Sequence, residues 1–154
     1  MAIHDNKVAI VTGGARGIGE GICKVFCNEG ATVFLWDILD EGELTAKKIN
    51  DDGGHIFFQK IDITSQSQVK KAIDFIIKKF KKIDILINNA GVIRDRSFLK
   101  MSKDEWDTVI NINLSALYTT TQSVLPHMKN AGYGRIISAS SINGFKGAFG
   151  QTNY

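Results

Sequence analysis

The run Val8-Ala9-Ile10-Val11-Thr12-Gly13-Gly14-Ala15-Arg16-Gly17-Ile18-Gly19 joins an apolar stretch to a glycine-rich turn, and Ile22, Val25 and Phe26 follow at helical spacing. A strand apolar at every position is covered on both faces, as in a parallel sheet. Glycine permits the tight turn and lets backbone approach a pyrophosphate. A helix opening directly after it offers unpaired N–H groups and the positive end of its dipole to phosphates. Thr12, Gly13, Arg16, Gly17, Ile18 and Gly19 are therefore candidate dinucleotide-binding residues. The spacing is Gly-x-x-x-Gly-x-Gly rather than the commoner Gly-x-Gly-x-x-Gly.

Outward from this turn the pattern repeats. Strands are expected at Lys7–Thr12, Thr32–Asp37, His55–Lys60, Ile83–Asn88 and Arg135–Ala139. Helices are expected at Gly17–Glu29, Asp40–Asp51, Ser65–Phe80 and Ser102–Met128, with Ser65 and Ser102 as N-caps. Gly30 and Gly53-Gly54 stand where left-handed C-caps belong. The single proline, Pro126, is expected to kink or shorten the fourth helix. Repeated β-α-β units with right-handed crossovers give an α/β, doubly wound parallel sheet with helices on both faces. The length of 154 residues suits one domain, 1–154.

Asp37 ends the second strand about twenty residues past the glycine turn, where a carboxylate accepts hydrogen bonds from the adenosine ribose. It also repels a 2′-phosphate, so it favours NAD(H) over NADP(H). Arg16 pulls the other way, since its guanidinium pairs with such a phosphate, and NADP(H) stays open.

Thr12–Gly19, Asp62-Ile63, Asn88-Asn89-Ala90-Gly91, Asn113, Ser141 and Tyr154 occur in the order and spacing of the short-chain dehydrogenase/reductase family, which the chain resembles from about Lys7 to its final residue. The resemblance implies a Rossmann-like fold and an NAD(P)-dependent oxidoreductase. It places Asp62 and Ile63 at the adenine and Asn89, Ala90 and Gly91 at the cofactor ribose. It makes Tyr154 the proton donor to a carbonyl, thirteen positions after Ser141, which hydrogen-bonds the substrate oxygen. Asn113 resembles the helix asparagine that holds a water in the proton relay.

In the family a lysine follows the tyrosine by four residues and lowers its pKa; an unassisted phenol, with a pKa of about 10, suits acid–base work near neutrality poorly. No residue follows Tyr154 here. The expectation is an N-terminal portion, with C-terminal strands and helices missing, inactive alone, and with Arg135–Ala139 as an exposed sheet edge.

Ser140–Tyr154 looks most like the acetoacetyl-CoA reductases. Gly91–Asp95 and Glu105–Asp107 resemble both those and the 3-oxoacyl-(acyl-carrier-protein) reductases. The expected substrate is a small acyl thioester, reduced to its 3-hydroxy form. Two alternatives stand beside it: a non-catalytic dinucleotide-binding remnant, and an NAD-linked alcohol or sugar dehydrogenase of the same family.

Bulk properties narrow the partners. The formal charge of +3 is spread along the chain and argues against nucleic acid. The densest basic run, Lys78-Lys79-Phe80-Lys81-Lys82, closes a helix, where cations suit the dipole. No apolar run is long enough to span a bilayer, and the N-terminus has no secretory h-region, so a cytoplasmic location is expected. Cys23 and Cys27 read as buried apolar side chains rather than metal ligands, and no metal site is expected. The fourth helix is apolar on more than one side (Trp106, Val109, Ile110, Ile112, Leu114, Ala116, Leu117, Tyr118), which fits either deep burial or a subunit contact in a homo-oligomer.

Overall fold

The computed structural model describes residues 2–154. Five strands, β1 (Val8–Thr12), β2 (Thr32–Asp37), β3 (His55–Lys60), β4 (Ile85–Asn88) and β5 (Arg135–Ser138), form one sheet in the order β3-β2-β1-β4-β5. Every pairing is parallel, with Ile10 opposite Phe34 on one side and Leu86 on the other. The order reverses between β1 and β4, which opens a crevice at their C-terminal ends.

Alternation along β1 splits the core into two layers. Val8 and Ile10 pack with Phe34, Trp36 and Leu86 under helices α3 (Gln66–Phe80) and α5 (Ala116–Asn130). Ala9 and Val11 pack with Val33, Leu35, Ile85 and Ile87 under α1 (Gly17–Asn28) and α2 (Glu41–Asp51). Each helix reaches the sheet through one stripe, such as Val69, Ala72, Ile73 and Ile76 on α3. Phe34 and Trp36 are fully buried, and side chains of that kind contribute roughly 1.5–3 kcal/mol each by leaving water.

Cys23 and Cys27 lie in the α1 layer, as expected of small apolar groups. Burial, aided by the neighbouring Cys27, pushes the Cys23 thiol up to about 12. Burial also raises Cys27, whose Sγ sits 3.9 Å from the His55 carbonyl.

Four local expectations change. The fourth helical stretch is not uniform: α4 (Lys103–Ile110) passes through a π-helical turn, Asn111–Ser115, into α5. Pro126 does not shorten α5, which continues to Asn130 because Val124 and Met128 are anchored in the core on either side. Ser65 stands at the N-cap of α3 but its hydroxyl turns to Ser67 instead of the helix backbone. Gly30 and Gly53 adopt positive φ, whereas Gly54 does not, and α3 ends on a left-handed Lys81. Ser102 does cap α4, in a reciprocal box with Glu105. A short 3₁₀ turn at Phe98–Lys100 and the helix α6 (Ile142–Lys146) were not foreseen.

The basic run is a solvated helix end. Lys82 pairs with the buried Asp84 at 3.2 Å, and Lys79 lies 4.5 Å over the Phe57 ring. Asp84 also accepts from the Val8 N–H at 2.8 Å and so ties β1 to the start of β4. On the fourth helical stretch the core takes only Val109, Ala116, Thr120, Val124 and Met128. Leu114, Tyr118 and Leu125 are at least half exposed while Trp106, Ile110, Ile112 and Leu117 are partly buried, so only part of the surplus apolar width faces outward. Strand β5 is exposed along its length and pairs with β4 alone.

Candidate functional site

A cleft of about 340 Å³ opens at the C-terminal ends of β1, β2 and β4. Gly13, Arg16, Asp37, Asp62, Ile63, Asn89, Ala90 and Gly91 line it, eight residues expected from sequence to meet the cofactor. Trp36, Ile38, Leu39, Ile61, Val92 and Ile112 line it as well and were not foreseen. Their apolar character reads as core in a sequence, and Trp36 is indeed fully buried beneath the cleft, while Ile38 is exposed at the crevice between strand ends.

Thr12 is the pivot beneath the cleft. Its Oγ1 donates to the Ile87 carbonyl at 3.3 Å and accepts from the N–H groups of Asn89 and Ala90 at 3.0 and 3.1 Å. Asn89 returns two bonds of 3.1 Å from Nδ2 to the carbonyls of Thr12 and Gly13. The glycine turn and the loop after β4 are thereby one unit. A Cβ on Gly13 would stand 2.7 Å from Ala90 Cα, and one on Gly19 only 2.0 Å from the Gly13 carbonyl oxygen. No larger residue fits either place. Gly17 has φ +58 but open space around it, so its glycine answers to backbone conformation rather than crowding.

Helix α1 begins after Arg16, which makes no side-chain cap bond. The first-turn amides of Gly17, Ile18 and Gly19 have no acceptor within the helix, and such a turn is an anion site. Ile18 itself points to solvent, at 77% exposure. Asp37 serves the turn directly. Its Oδ2 accepts from the Ala15 N–H at 3.0 Å and its Oδ1 from the Leu39 N–H at 3.1 Å. Asp62 holds its own turn, accepting from the N–H and hydroxyl of Thr64, while Ile63 is nearly buried behind it. Free first-turn amides, glycines crowded by backbone and a largely apolar cleft with a few polar groups at a strand-order reversal together fit a dinucleotide.

Asn113 lies in the π-helical turn and reaches the same loop. Its Oδ1 accepts from the Val92 N–H at 2.8 Å and its Nδ2 donates to the Val92 carbonyl at 2.9 Å. One N–H and one lone pair of that amide remain unused.

Ser141 and Tyr154 are not among the residues lining the cleft. Ser141 is the N-cap of α6, its Oγ accepting from the Asn143 N–H at 3.2 Å. Tyr154 is 40% exposed. The segment carrying both is docked on the loop between β4 and α4. The Arg96 N–H donates to the Gly150 carbonyl at 2.8 Å, and Gln151 bridges Asp95 and Asn143. The buried Asn153 donates from Nδ2 to the carbonyls of Arg94 and Glu105 at 3.2 and 3.1 Å. Glu105 is held below the usual carboxylate range by the Ser102 backbone N–H and by Arg96.

Among the described residues no group of three or more His, Cys, Asp or Glu converges as a metal site, and no helix is long and apolar enough to cross a membrane.

A family model described as short chain dehydrogenase matches residues 7–154. A 3-oxoacyl-(acyl-carrier-protein) reductase of Chlamydia pneumoniae is 44% identical over 96% of this chain and 60% of its own length. The Thermotoga maritima protein of the same name is 37% identical over 97% of this chain and 61% of its own. An acetoacetyl-CoA reductase from Acinetobacter sp. is 37% identical over 99% of this chain and 62% of its own. The chain therefore spans about 60% of the length of the curated relatives it matches.

Proposed function

The chain belongs to the short chain dehydrogenase family, and on that premise we propose that it is the dinucleotide-binding part of an NAD(H)-linked reductase of 3-oxoacyl thioesters. The observation that carries the reading is the cleft in which Gly13, Asn89 and Ala90 are locked together by Thr12 beside the open first turn of α1. Its relatives named for 3-oxoacyl-(acyl-carrier-protein) and acetoacetyl-CoA reduction support the substrate class.

In this reading Gly17, Ile18 and Gly19 hold the pyrophosphate with backbone N–H groups, Gly13, whose own N–H is given to the Trp36 carbonyl at 2.8 Å, lets the backbone come close to it, and Arg16 borders it. Asp37 receives the adenosine ribose hydroxyls on the lone pairs left after its bonds to Ala15 and Leu39. A 2′-phosphate at that place meets the carboxylate, which is the argument for NAD(H). Asp62 and Ile63 border the adenine. Asn89, Ala90 and Gly91 border the second ribose. The dinucleotide, when bound, supplies the hydride.

Tyr154 gives its phenolic proton to the carbonyl oxygen, and the Ser141 hydroxyl donates a hydrogen bond to that oxygen as it gains charge. The unused N–H and lone pair of Asn113 serve a water that returns a proton to the tyrosine. The substrate is a small acyl thioester, and the exposed Leu114, Tyr118 and Leu125 form a contact with a second subunit.

Fluorescence titration of the chain with NADH and NADPH tests the cofactor reading. NADH is expected to bind, and more tightly than NADPH. Absence of binding by either dinucleotide overturns it, and tighter binding of NADPH overturns the role given to Asp37.

A further inference from the structure

Thr45 lies on α2, 30 residues beyond Ala15, and is buried at 6% exposure. A threonine within a helix commonly turns its hydroxyl back to the carbonyl four residues earlier. Thr45 does not. Its Oγ1 donates to the Ala15 carbonyl at 2.7 Å. The Ala15 N–H is meanwhile given to Asp37 Oδ2 at 3.0 Å. Both polar groups of Ala15 are thus held, one by the end of β2 and one by α2. Ala15 sits between the crowded Gly13-Gly14 and the N-cap Arg16, so its two flanking peptides aim the turn that opens α1.

We propose that Thr45 is a positioning residue for the anion-binding turn. It reaches no ligand itself, and it acts by fixing the Ala15 carbonyl so that the first-turn amides of α1 stay aligned on the pyrophosphate. The inference rests on the reading of the cleft as a dinucleotide site. A β-branched side chain has a stiff χ1, so the hydroxyl is held in one direction by the helix that carries it. Removing it leaves a buried carbonyl with no partner, and such a group relaxes by moving the turn. The same connection runs in reverse: ordering of the turn by a ligand stabilises α2, since coupling between two sites is reciprocal.

The test uses the 154-residue chain, with NADH as the probe, in wild type, Thr45→Val and Thr45→Ser. Thr45→Val is isosteric and lacks the donor, and Thr45→Ser retains it. Thr45→Val is expected to weaken NADH binding by roughly five- to twentyfold, the scale of one lost buried hydrogen bond, and Thr45→Ser by less than about threefold. A purely structural role would lower the melting temperature of Thr45→Val and leave the dissociation constant unchanged, which overturns the proposal. Hydrogen exchange on the wild type gives a second readout should Thr45→Val fail to fold. NADH is expected to slow exchange across α2 around Thr45, and unchanged exchange there overturns the coupling. Failure of the wild type to bind NADH overturns the underlying reading of the cleft rather than the role of Thr45 within it.

Discussion

Asn113 and Val92 form a closed pair: the side-chain amide of one accepts from the backbone N–H and donates to the backbone carbonyl of the other, at 2.8 and 2.9 Å. The two are 21 residues apart and belong to different elements, the π-helical turn and the loop after β4. A side-chain amide here takes the part of a neighbouring strand. It ties the fourth helical stretch to the rim of the cleft, so the same residue has a structural duty beside the one proposed in proton relay.

Asn113→Ala is therefore expected to destabilise the chain by about 2 kcal/mol, from two lost hydrogen bonds and two backbone groups left short of partners. Urea unfolding measures this directly. Asn113→Asp keeps the acceptor and loses the donor, and should fall between. An alanine variant as stable as wild type would mean that the loop finds other partners.

The glycines of the turn should rank by crowding and not by position in the motif. Gly19→Ala places a methyl against the Gly13 carbonyl and should abolish NADH binding. Gly17→Ala meets no neighbour and carries only the cost of a left-handed backbone, about 1–2 kcal/mol. It should bind with reduced affinity. Equal loss in both variants would count against the geometry of the turn.

Asp37→Ser should move the preference toward NADPH by roughly tenfold, because the repulsion at the 2′ position is gone and Arg16 remains. The substitution also removes the acceptor of the Ala15 and Leu39 N–H groups, so NADH affinity should fall in the same variant. Parallel titrations with both dinucleotides separate the two effects. A fall in NADH affinity with no gain for NADPH would leave Asp37 only its part in shaping the turn.

Cys23 predicts alkaline behaviour. Its thiol is raised in the folded chain from an ordinary value of 9.0 to about 12, chiefly by burial. Between those limits the unfolded state releases a proton that the folded state keeps. Stability is therefore full below about pH 9 and declines as pH rises toward 12, by at most about 1.4 kcal/mol per pH unit. Urea midpoints from pH 8 to 10.5 should show a steeper fall for wild type than for Cys23→Ala. The folded thiol should also resist alkylation at pH 8, and equal labelling rates in native and denatured protein would show the burial to be wrong.

Much of this was legible in the residues themselves. Val8–Val11 is apolar at every position, and only a strand covered on both faces uses such a run. Gly13 and Gly19 mark a tight turn where backbone can approach a pyrophosphate, and Asp37 marks the strand end beside it. Periods and spacings of that kind are local, so a linear chain displays them. The five parallel strands and the joining of Gly13, Arg16, Asp37, Asp62 and Asn89 around one cleft follow that reading.

What the linear chain did not display was decided by contacts between distant residues. Thr45 looks like any surface-prone threonine in a helix, and its hydroxyl gains a purpose only because α2 packs beside the Ala15 carbonyl. Asn113 was singled out by resemblance, yet its bond to Val92 depends on a π-helical turn that no propensity announces. Pro126 reads as a kink or a shortening of its helix, yet α5 runs on to Asn130 with Val124 and Met128 anchored in the core. Strand, turn and glycine positions follow from short-range sterics, which each residue carries with it. Hydrogen-bond partners across 20 or 30 positions exist only once the sheet and its two helical layers have closed.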